Sequence, residues 1–212
     1  MNRLVHSMVT AAAVILMSSS VALAEPVEVQ ASVVGRAQGT PQGKGIAHQI
    51  GLDKGNVGFN EEKGFIFKTF IAIDLSSNLV DVEEAERIEL VTHFAWGGEG
   101  SASGWKFVCL GAYDDDELIN ATLLSWGEAD GGRFEKNGAT VGTGDPSNGK
   151  ASFGESGTLV LDVTEAAKRS GLGVDTPFLW FRVEPANLSD AGSWGGIVPA
   201  KEKNTLQIHV GE

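Results

Sequence analysis

The sequence predicts an all-β protein, an antiparallel β-sandwich of the jelly-roll type with one short helix, and three observations support this fold class. Several short segments alternate apolar and polar side chains with the period of two that is typical of strands. Polar loops rich in glycine separate these segments, and the chain contains 28 glycines. Helical periodicity is almost absent. Short strands with little helix indicate a sandwich or barrel.

The strongest strand signal lies in residues 64–77 (GFIFKTFIAIDLSS). One side of this segment is almost continuously apolar, whereas the other side mixes apolar residues with Lys68 and Asp74. We therefore predict a central strand that is buried on one face and partly covered on the other. Asp74, Ser76 and Ser77 favour a turn at its end because their side chains bond to nearby backbone groups.

The remaining elements follow from the same alternation. Pro26 fits the beginning of a first strand, which we place at a sheet edge. Thr164 is the predicted N-cap of the short helix, which Gly171 closes. Residues 35–60 and 127–156 are interpreted as long irregular regions, the first with a short strand inside it. Further strands are predicted at residues 26–34, 46–50, 86–96, 105–112, 120–126, 157–163, 178–184 and 205–210.

Residues 1–24 are predicted to be an export signal, and residues 25–212 a single β-sandwich domain. Arg3 precedes a short apolar run, and Ala22-Leu23-Ala24 provides a cleavage site of small residues. The apolar run is shorter than the about 20 residues that span a bilayer, so we expect no membrane insertion after cleavage. The expected location is therefore secreted or periplasmic.

Composition argues against some partners. The chain has 16 Lys and Arg against 28 Asp and Glu, a net charge of −12. Nucleic acid and anionic membrane surfaces require clustered basic side chains, so neither is expected as a partner. Cys109 is the single cysteine, which rules out an internal disulfide, and its alternation with Trp105 and Phe107 favours a buried apolar role.

Recognised catalytic motifs are absent from the sequence. There is no Gly-x-Ser-x-Gly elbow and no phosphate-cradling loop. His48, His93 and His209 are too far apart in sequence to form a recognised metal pair. No two of the many carboxylates stand out as a glycosidase pair. We therefore predict a non-catalytic protein.

Trp180 and Arg182 are the first candidate carbohydrate-binding residues. They share one side of the strand at residues 178–184 with Glu184. An aromatic ring can stack on a sugar, while a guanidinium and a carboxylate can bond to its hydroxyls. The alternative is that Trp180 fills a core between sheets and that Arg182 pairs with Glu184 or Asp162.

Trp194 is the third candidate carbohydrate-binding residue. It lies in a glycine-rich loop, Ala-Gly-Ser-Trp-Gly-Gly, at residues 191–196. Loops carry many binding residues, so a large ring there is a good ligand candidate. The alternative is a lid over the edge of the core.

An acidic loop is the candidate metal site. Asp114, Asp115 and Asp116 could offer several oxygen ligands to calcium, which is the one cofactor that the sequence suggests. The loop is not an EF-hand because Ile119 stands where that loop needs glycine. The alternative is a solvated cluster of charges without a metal.

Five segments, in order, resemble the DNRLRE domain, a β-sandwich related to the carbohydrate-binding modules of extracellular proteins. They are FIFKTFIAIDLSS with VEEAERIELVTHF, then WKFVCLGAYDDDELINATLLSW, GTLVLDVTEAAKR and NTLQIHV. Together they span residues 64–210. The resemblance implies a non-catalytic, glycan-binding or surface-structural protein.

The sequence thus predicts an exported protein that binds polysaccharide or another extracellular glycan without cleaving it. The alternative is an extracellular structural or protein-interaction domain without a sugar site. A polysaccharide lyase or hydrolase on the same scaffold is the third reading.

Overall fold

The computed structural model describes residues 25–39, 45–50, 55–60, 64–96, 105–114, 139–144, 156–185, 194–197 and 200–211. These residues form an antiparallel all-β fold with short helices, which confirms the predicted class. The elements are β1 (Val27–Gly39), β2 (Gly45–Ile50), β3 (Gly55–Asn60), β4 (Phe65–Asp74), α1 (Leu79–Glu84), β5 (Ala85–Trp96), β6 (Trp105–Tyr113), β7 (Ala139–Gly144), β8 (Ser156–Asp162), α2 (Thr164–Lys168), β9 (Phe178–Pro185), β10 (Trp194–Ile197), a 3-10 helix (Lys201–Lys203) and β11 (Asn204–Val210).

The sheet curls so that its strand pairings close into a circuit. The circuit runs from β1 to β11, β5, β10, β3 and β4, and then back to β1. β1 makes this possible because residues 27–30 pair with β11, whereas residues 31–39 pair with β4, with a register shift between Ala31 and Val33. β9, β6 and β7 extend the sheet from β4, and β8 pairs with β5. The jelly-roll connectivity stays a prediction.

β4 is the central strand that the sequence predicts. It pairs with β1 on one edge and with β3 and β9 on the other. Its burial is greater than expected, because every residue from Ile66 to Ile73 is buried. The mixed face with Lys68, Phe70 and Ala72 is therefore covered as completely as the apolar face.

Two hydrophobic clusters lie on the two faces of the β1–β4–β9–β6 part of the sheet. The larger cluster contains Ile71, Phe107, Phe181 and residues of β5 and β11. The second cluster comprises Val33, Ala37, Ile66, Phe70, Ala72, Val108, Leu110, Tyr113 and Trp180. Successive residues of β9 alternate between the clusters, as Trp180 and Phe181 do, since neighbouring side chains in a strand point to opposite faces.

Several local predictions are wrong. β1 is not at an edge, since it pairs with β11, β2 and β4 and runs on to Gly39. Residues 35–60 are not largely irregular, because they hold the end of β1 and all of β2 and β3. α1 is a second helix beside the one short helix of the predicted fold class; it buries Val82 and overlaps the helix-like patch that the sequence shows at residues 82–85. The predicted export signal and the strand at residues 120–126 lie outside the described residues.

No helix among the described residues has the length and the hydropathy needed to cross a membrane.

Candidate functional site

An open cleft lies between α2 and the end of β6, and we call it the α2 cleft. Its volume is about 1030 Å³. Its walls come from three stretches of chain: Glu86 at the start of β5, residues 109–113 of β6, and residues 162–166 with Arg169 and Ser170 around α2. Except for Ser170, the third stretch falls within the GTLVLDVTEAAKR segment that resembles the DNRLRE domain.

The wall formed by α2 is fixed to β5 by the residues that begin the helix. The backbone amide of Val163 donates to the carbonyl of Ile88 at 2.9 Å, and the amide of Ile88 donates to Thr164 Oγ1 at 2.8 Å. Thr164 is the first residue of α2 rather than its N-cap, a position that Val163 occupies. The predicted cap is wrong because the hydroxyl oxygen of Thr164 accepts a hydrogen bond from the amide of Ile88 in β5 and not from an amide of the helix.

Asp162 places a carboxylate at the rim of the cleft. Its Oδ1 atom accepts from the hydroxyl of Thr164 at 2.7 Å and from the amide of Thr164 at 3.0 Å. These two hydrogen bonds lower the pKa of Asp162 from its usual value because they stabilise the charged form. The carboxylate is exposed and ionised at neutral pH, so it can accept further hydrogen bonds from a ligand.

Glu165 and Arg169 add an ion pair one helical turn along α2. Arg169 Nη2 lies 2.8 Å from Glu165 Oε2, and the two side chains are 80% and 76% exposed. Exposed pairs of this kind contribute little to stability. Both groups are therefore available to exchange partners with a ligand at small cost.

The wall formed by β6 depends on a backbone irregularity at Gly111. This glycine has a φ of 106°, in the region that other residues rarely adopt, and the register with β9 shifts between Cys109 and Gly111. The irregularity brings the amide of Ala112 to 3.0 Å from the carbonyl of Ser170, which ties β6 to the end of α2. The two walls of the cleft are thus joined at one end.

Cys109 lines the cleft and is buried, as the sequence predicts. Burial raises the pKa of its thiol to about 11, although a backbone hydrogen bond from Gly111 acts in the opposite direction. The thiol is therefore protonated at neutral pH and is a poor nucleophile. This chemistry agrees with an apolar packing role.

Trp180 and Arg182, predicted to bind sugar, are not exposed. Trp180 is 0% exposed and Arg182 is 6% exposed. A fully buried ring offers no face for stacking on a sugar, so the expected accessibility of this pair is wrong. The structure instead matches the alternative: Trp180 fills the second cluster, and Arg182 Nε lies 3.0 Å from Glu184 Oε2.

Arg182 belongs to a group of charges that we call the Glu184 cluster, formed by Lys68, Lys106, Arg182 and Glu184. Lys68 Nζ lies 3.1 Å from Glu184 Oε2, and Lys106 Nζ lies 3.7 Å from Oε1. Burial by itself would raise the pKa of Glu184, but the charges of Lys68, Arg182 and Lys106 outweigh burial and lower it. The cluster is a structural ion network on a covered sheet face.

The other predicted site residues are only partly described. The backbone of Trp194 begins β10, so it belongs to a strand that joins β3 and β5 rather than to a free loop. Asp114 is exposed at the end of β6, whereas Asp115 and Asp116 lie outside the described residues. Within the described ranges, no group of three or more His, Cys, Asp or Glu side chains could hold a metal ion. The calcium site stays a prediction.

Sequence reasoning missed the α2 cleft because its walls come from stretches that are distant along the chain. Glu86 and Asp162 come to line the same cleft only when β5 and β8 pair, with Glu89 opposite Asp162. The one available signal was the DVTEAAKR stretch, which carries two cleft carboxylates and an arginine within eight residues.

No protein-family model and no curated protein matches this chain. The resemblance to the DNRLRE domain therefore stays a prediction made from short segments of sequence.

Proposed function

We propose that the chain is an exported, non-catalytic protein that binds polysaccharide in the α2 cleft. The observation that carries the proposal is the combination of an open hollow of about 1030 Å³ with carboxylates, hydroxyls and a guanidinium along its rim. Ligand pockets typically measure about 300–1,000 Å³, so the volume of this cleft lies at the upper end of the range that holds a small ligand. The predicted export signal and the resemblance to a glycan-binding family support the same function.

The chemistry of the rim suits a ligand that carries many hydroxyl groups. The carboxylates of Glu86, Asp162 and Glu165 accept hydrogen bonds from hydroxyls, and Arg169 donates them. Charge-assisted hydrogen bonds are stronger than neutral ones, and several of them along an open cleft can hold successive sugar units. Tyr113, the aromatic residue of the lining, is 7% exposed, so binding relies on polar contacts more than on ring stacking.

A glycan array, probed with the purified protein in calcium and then in a chelator, tests the proposal. We expect binding to at least one polysaccharide class, with affinity reduced about tenfold or more in Glu165→Ala and in Arg169→Ala, which corresponds to about 1.4 kcal/mol for each. Glu202→Ala is the matched control, since Glu202 is exposed on the 3-10 helix outside the cleft.

The outcomes separate the parts of the proposal. Loss of binding in the chelator supports the predicted calcium site, and binding in both conditions argues against it. Binding that is lost in Trp194→Ala but kept in both cleft variants would move the sugar site to β10. If no glycan on the array binds in either condition, the result contradicts glycan binding and favours the alternative, a protein-interaction domain.

A specific observation favours that alternative as the second candidate function. Two exposed valines, Val80 at 64% and Val174 at 86%, flank a groove beside α1. Exposed apolar side chains beside a groove are typical of protein contacts.

A further inference from the structure

An apolar groove lies between α1 and the turn that follows α2, and we call it the valine groove. Its volume is about 460 Å³. Leu79, Val80 and Val82 form one side, and Ala167, Leu172 and Val174 form the other. Val82 and Ala167 are buried at its floor, whereas Val80 and Val174 stand at its rim. The valine groove is separate from the α2 cleft, which none of these six residues lines.

The turn that carries Val174 is held in a defined shape. The amide of Thr176 donates to the carbonyl of Gly173 at 3.0 Å, and the hydroxyl of Thr176 donates to the carbonyl of Gly171 at 2.7 Å. Gly171 supplies the positive φ, 82°, that reverses the chain after α2. Val174 is therefore a preformed apolar knob, 86% exposed, at the rim of the groove.

The two sides of the groove are fixed relative to each other. Lys168 Nζ donates to the carbonyl of Ala85 at 2.6 Å, which links the end of α2 to the end of α1. A partner therefore meets a preformed groove and does not have to order it. Preformed surfaces lose less conformational entropy on binding than flexible ones.

Opposite charges also line the groove. Glu83 and Lys168 are both exposed and both contribute to its lining. The same surface thus carries a protruding valine, a groove that could receive one, an acidic side chain and a basic side chain. A twofold interface requires one patch that is complementary to itself, so that residue i of one copy contacts residue j of the other and the reverse.

We infer that the valine groove is a homodimer contact, in which Val174 of each copy enters the groove of the other and Glu83 of each copy faces Lys168 of the other. Two valines and a groove of this volume cover much less than the roughly 1,200–2,000 Å² that stable complexes bury. The dimer is therefore weak and forms in a concentration-dependent manner. A weak dimer would also present two α2 cleft sites, although the inference does not depend on glycan binding.

Sedimentation equilibrium of the full protein, at concentrations that reach about 1 mM, tests the inference. The unaltered protein should show a monomer–dimer equilibrium, and Val174→Asp should weaken it at least about tenfold because a charge replaces the knob. Val160→Asp is the matched control. It changes the exposed valine of β8, at 54%, which is not part of the groove, and should leave the equilibrium unchanged.

Charge reversal tests the pairing itself. Glu83→Lys and Lys168→Glu should each weaken self-association, because like charges then meet across the twofold axis. A mixture of the two variants should dimerise, since both cross-pairs become attractive again. Circular dichroism checks the fold of Lys168→Glu, which loses its bond to Ala85. If this variant does not fold, the self-association of Glu83→Lys and Val174→Asp tests the dimer contact instead.

Several results would overturn the inference. A protein that stays monomeric at every concentration has no such dimer, and the groove would then belong to a different partner. A dimer that is equally strong in Val174→Asp and Val160→Asp would use another surface. A mixture of the two charge variants that stays monomeric, while the unaltered protein dimerises, would contradict the facing of Glu83 and Lys168.

Discussion

The Glu184 cluster and the ion pair of the α2 cleft contain similar chemical groups in opposite surroundings. In the cluster, the side chains of Lys68, Arg182 and Glu184 are 11%, 8% and 11% exposed. In the cleft, those of Arg169 and Glu165 are 80% and 76% exposed. A buried carboxylate is held by its neighbours and contributes to folding, whereas an exposed one is free to meet a ligand. Exposure, and not residue type, therefore separates structural charge from candidate binding charge.

Trp180→Ala should give the largest effect, because it removes a fully buried ring from the second hydrophobic cluster. We expect the free energy of unfolding to fall by about 3–5 kcal/mol, measured by urea denaturation. Val160→Ala, at an exposed position of β8, is the control and should change it by less than about 0.5 kcal/mol.

The same variant separates the structural role of Trp180 from a binding role. Glycan binding per folded molecule should be unchanged in Trp180→Ala. Lost binding with unaltered stability would instead return Trp180 to the sugar site and would contradict its assignment to the second cluster.

Glu184→Gln should give the next effect, a loss of roughly 3 kcal/mol in the free energy of unfolding. The substitution keeps the shape of the side chain but removes the charge that Lys68, Arg182 and Lys106 face in a buried setting. Glu165→Gln is the matched change in the cleft. It should cost less than about 1 kcal/mol, because exposed pairs are weak.

Equal losses in these two variants would mean that exposure does not distinguish the two regions. Chemical denaturation of both proteins under the same conditions, with equal dependence on denaturant, makes the comparison direct.

The smallest effect should be on the dependence of stability on pH. The folded pKa of Glu184 lies below the usual 4.5, so its contribution is present above about pH 4.5 and is lost as the pH falls through the lowered folded pKa. The difference in stability between the unaltered protein and Glu184→Gln should therefore shrink as the pH falls below about 4.5. A difference that stays constant down to pH 2 would contradict a lowered pKa.

Asp162 also makes the protein less stable in acid, so its contribution to the pH dependence of stability needs a separate control. Its pKa is also lowered, through the hydrogen bonds from Thr164, so it loses stabilising charge in acid as well. Asp162→Asn should remove only that part of the pH dependence and should leave the part due to Glu184.

Much of the fold was predictable because the patterns that indicate strands and helices lie within short segments of sequence. The alternation in residues 64–77 predicted β4, and the DVTEAAKR stretch predicted α2 to within a residue at its start. Within residues 35–60 the strand at 46–50 was predicted, but the end of β1 and all of β3 were not, because glycines that suggested a loop lie in these strands, where pairing with other strands overrides local preference.

The candidate sites were less predictable for a related reason. Alternation along β9 correctly put Trp180 and Arg182 on one face, but it could not tell whether that face is covered. Burial depends on contacts far away in sequence. The α2 cleft was not predicted at all, since no single stretch contains its walls.

The sequence by itself determined the strand-rich class, the negative charge and the burial of Cys109, because composition and local periodicity carry this information. The export signal stays a prediction. Only the tertiary structure decided that both faces of β4 are buried, that Trp180 is core, and that Asp162, Glu165 and Arg169 line a cleft. These properties arise when strands distant in sequence pair and pack. Before that packing, a side chain that will be buried in the core and one that will line a cleft have the same chemistry.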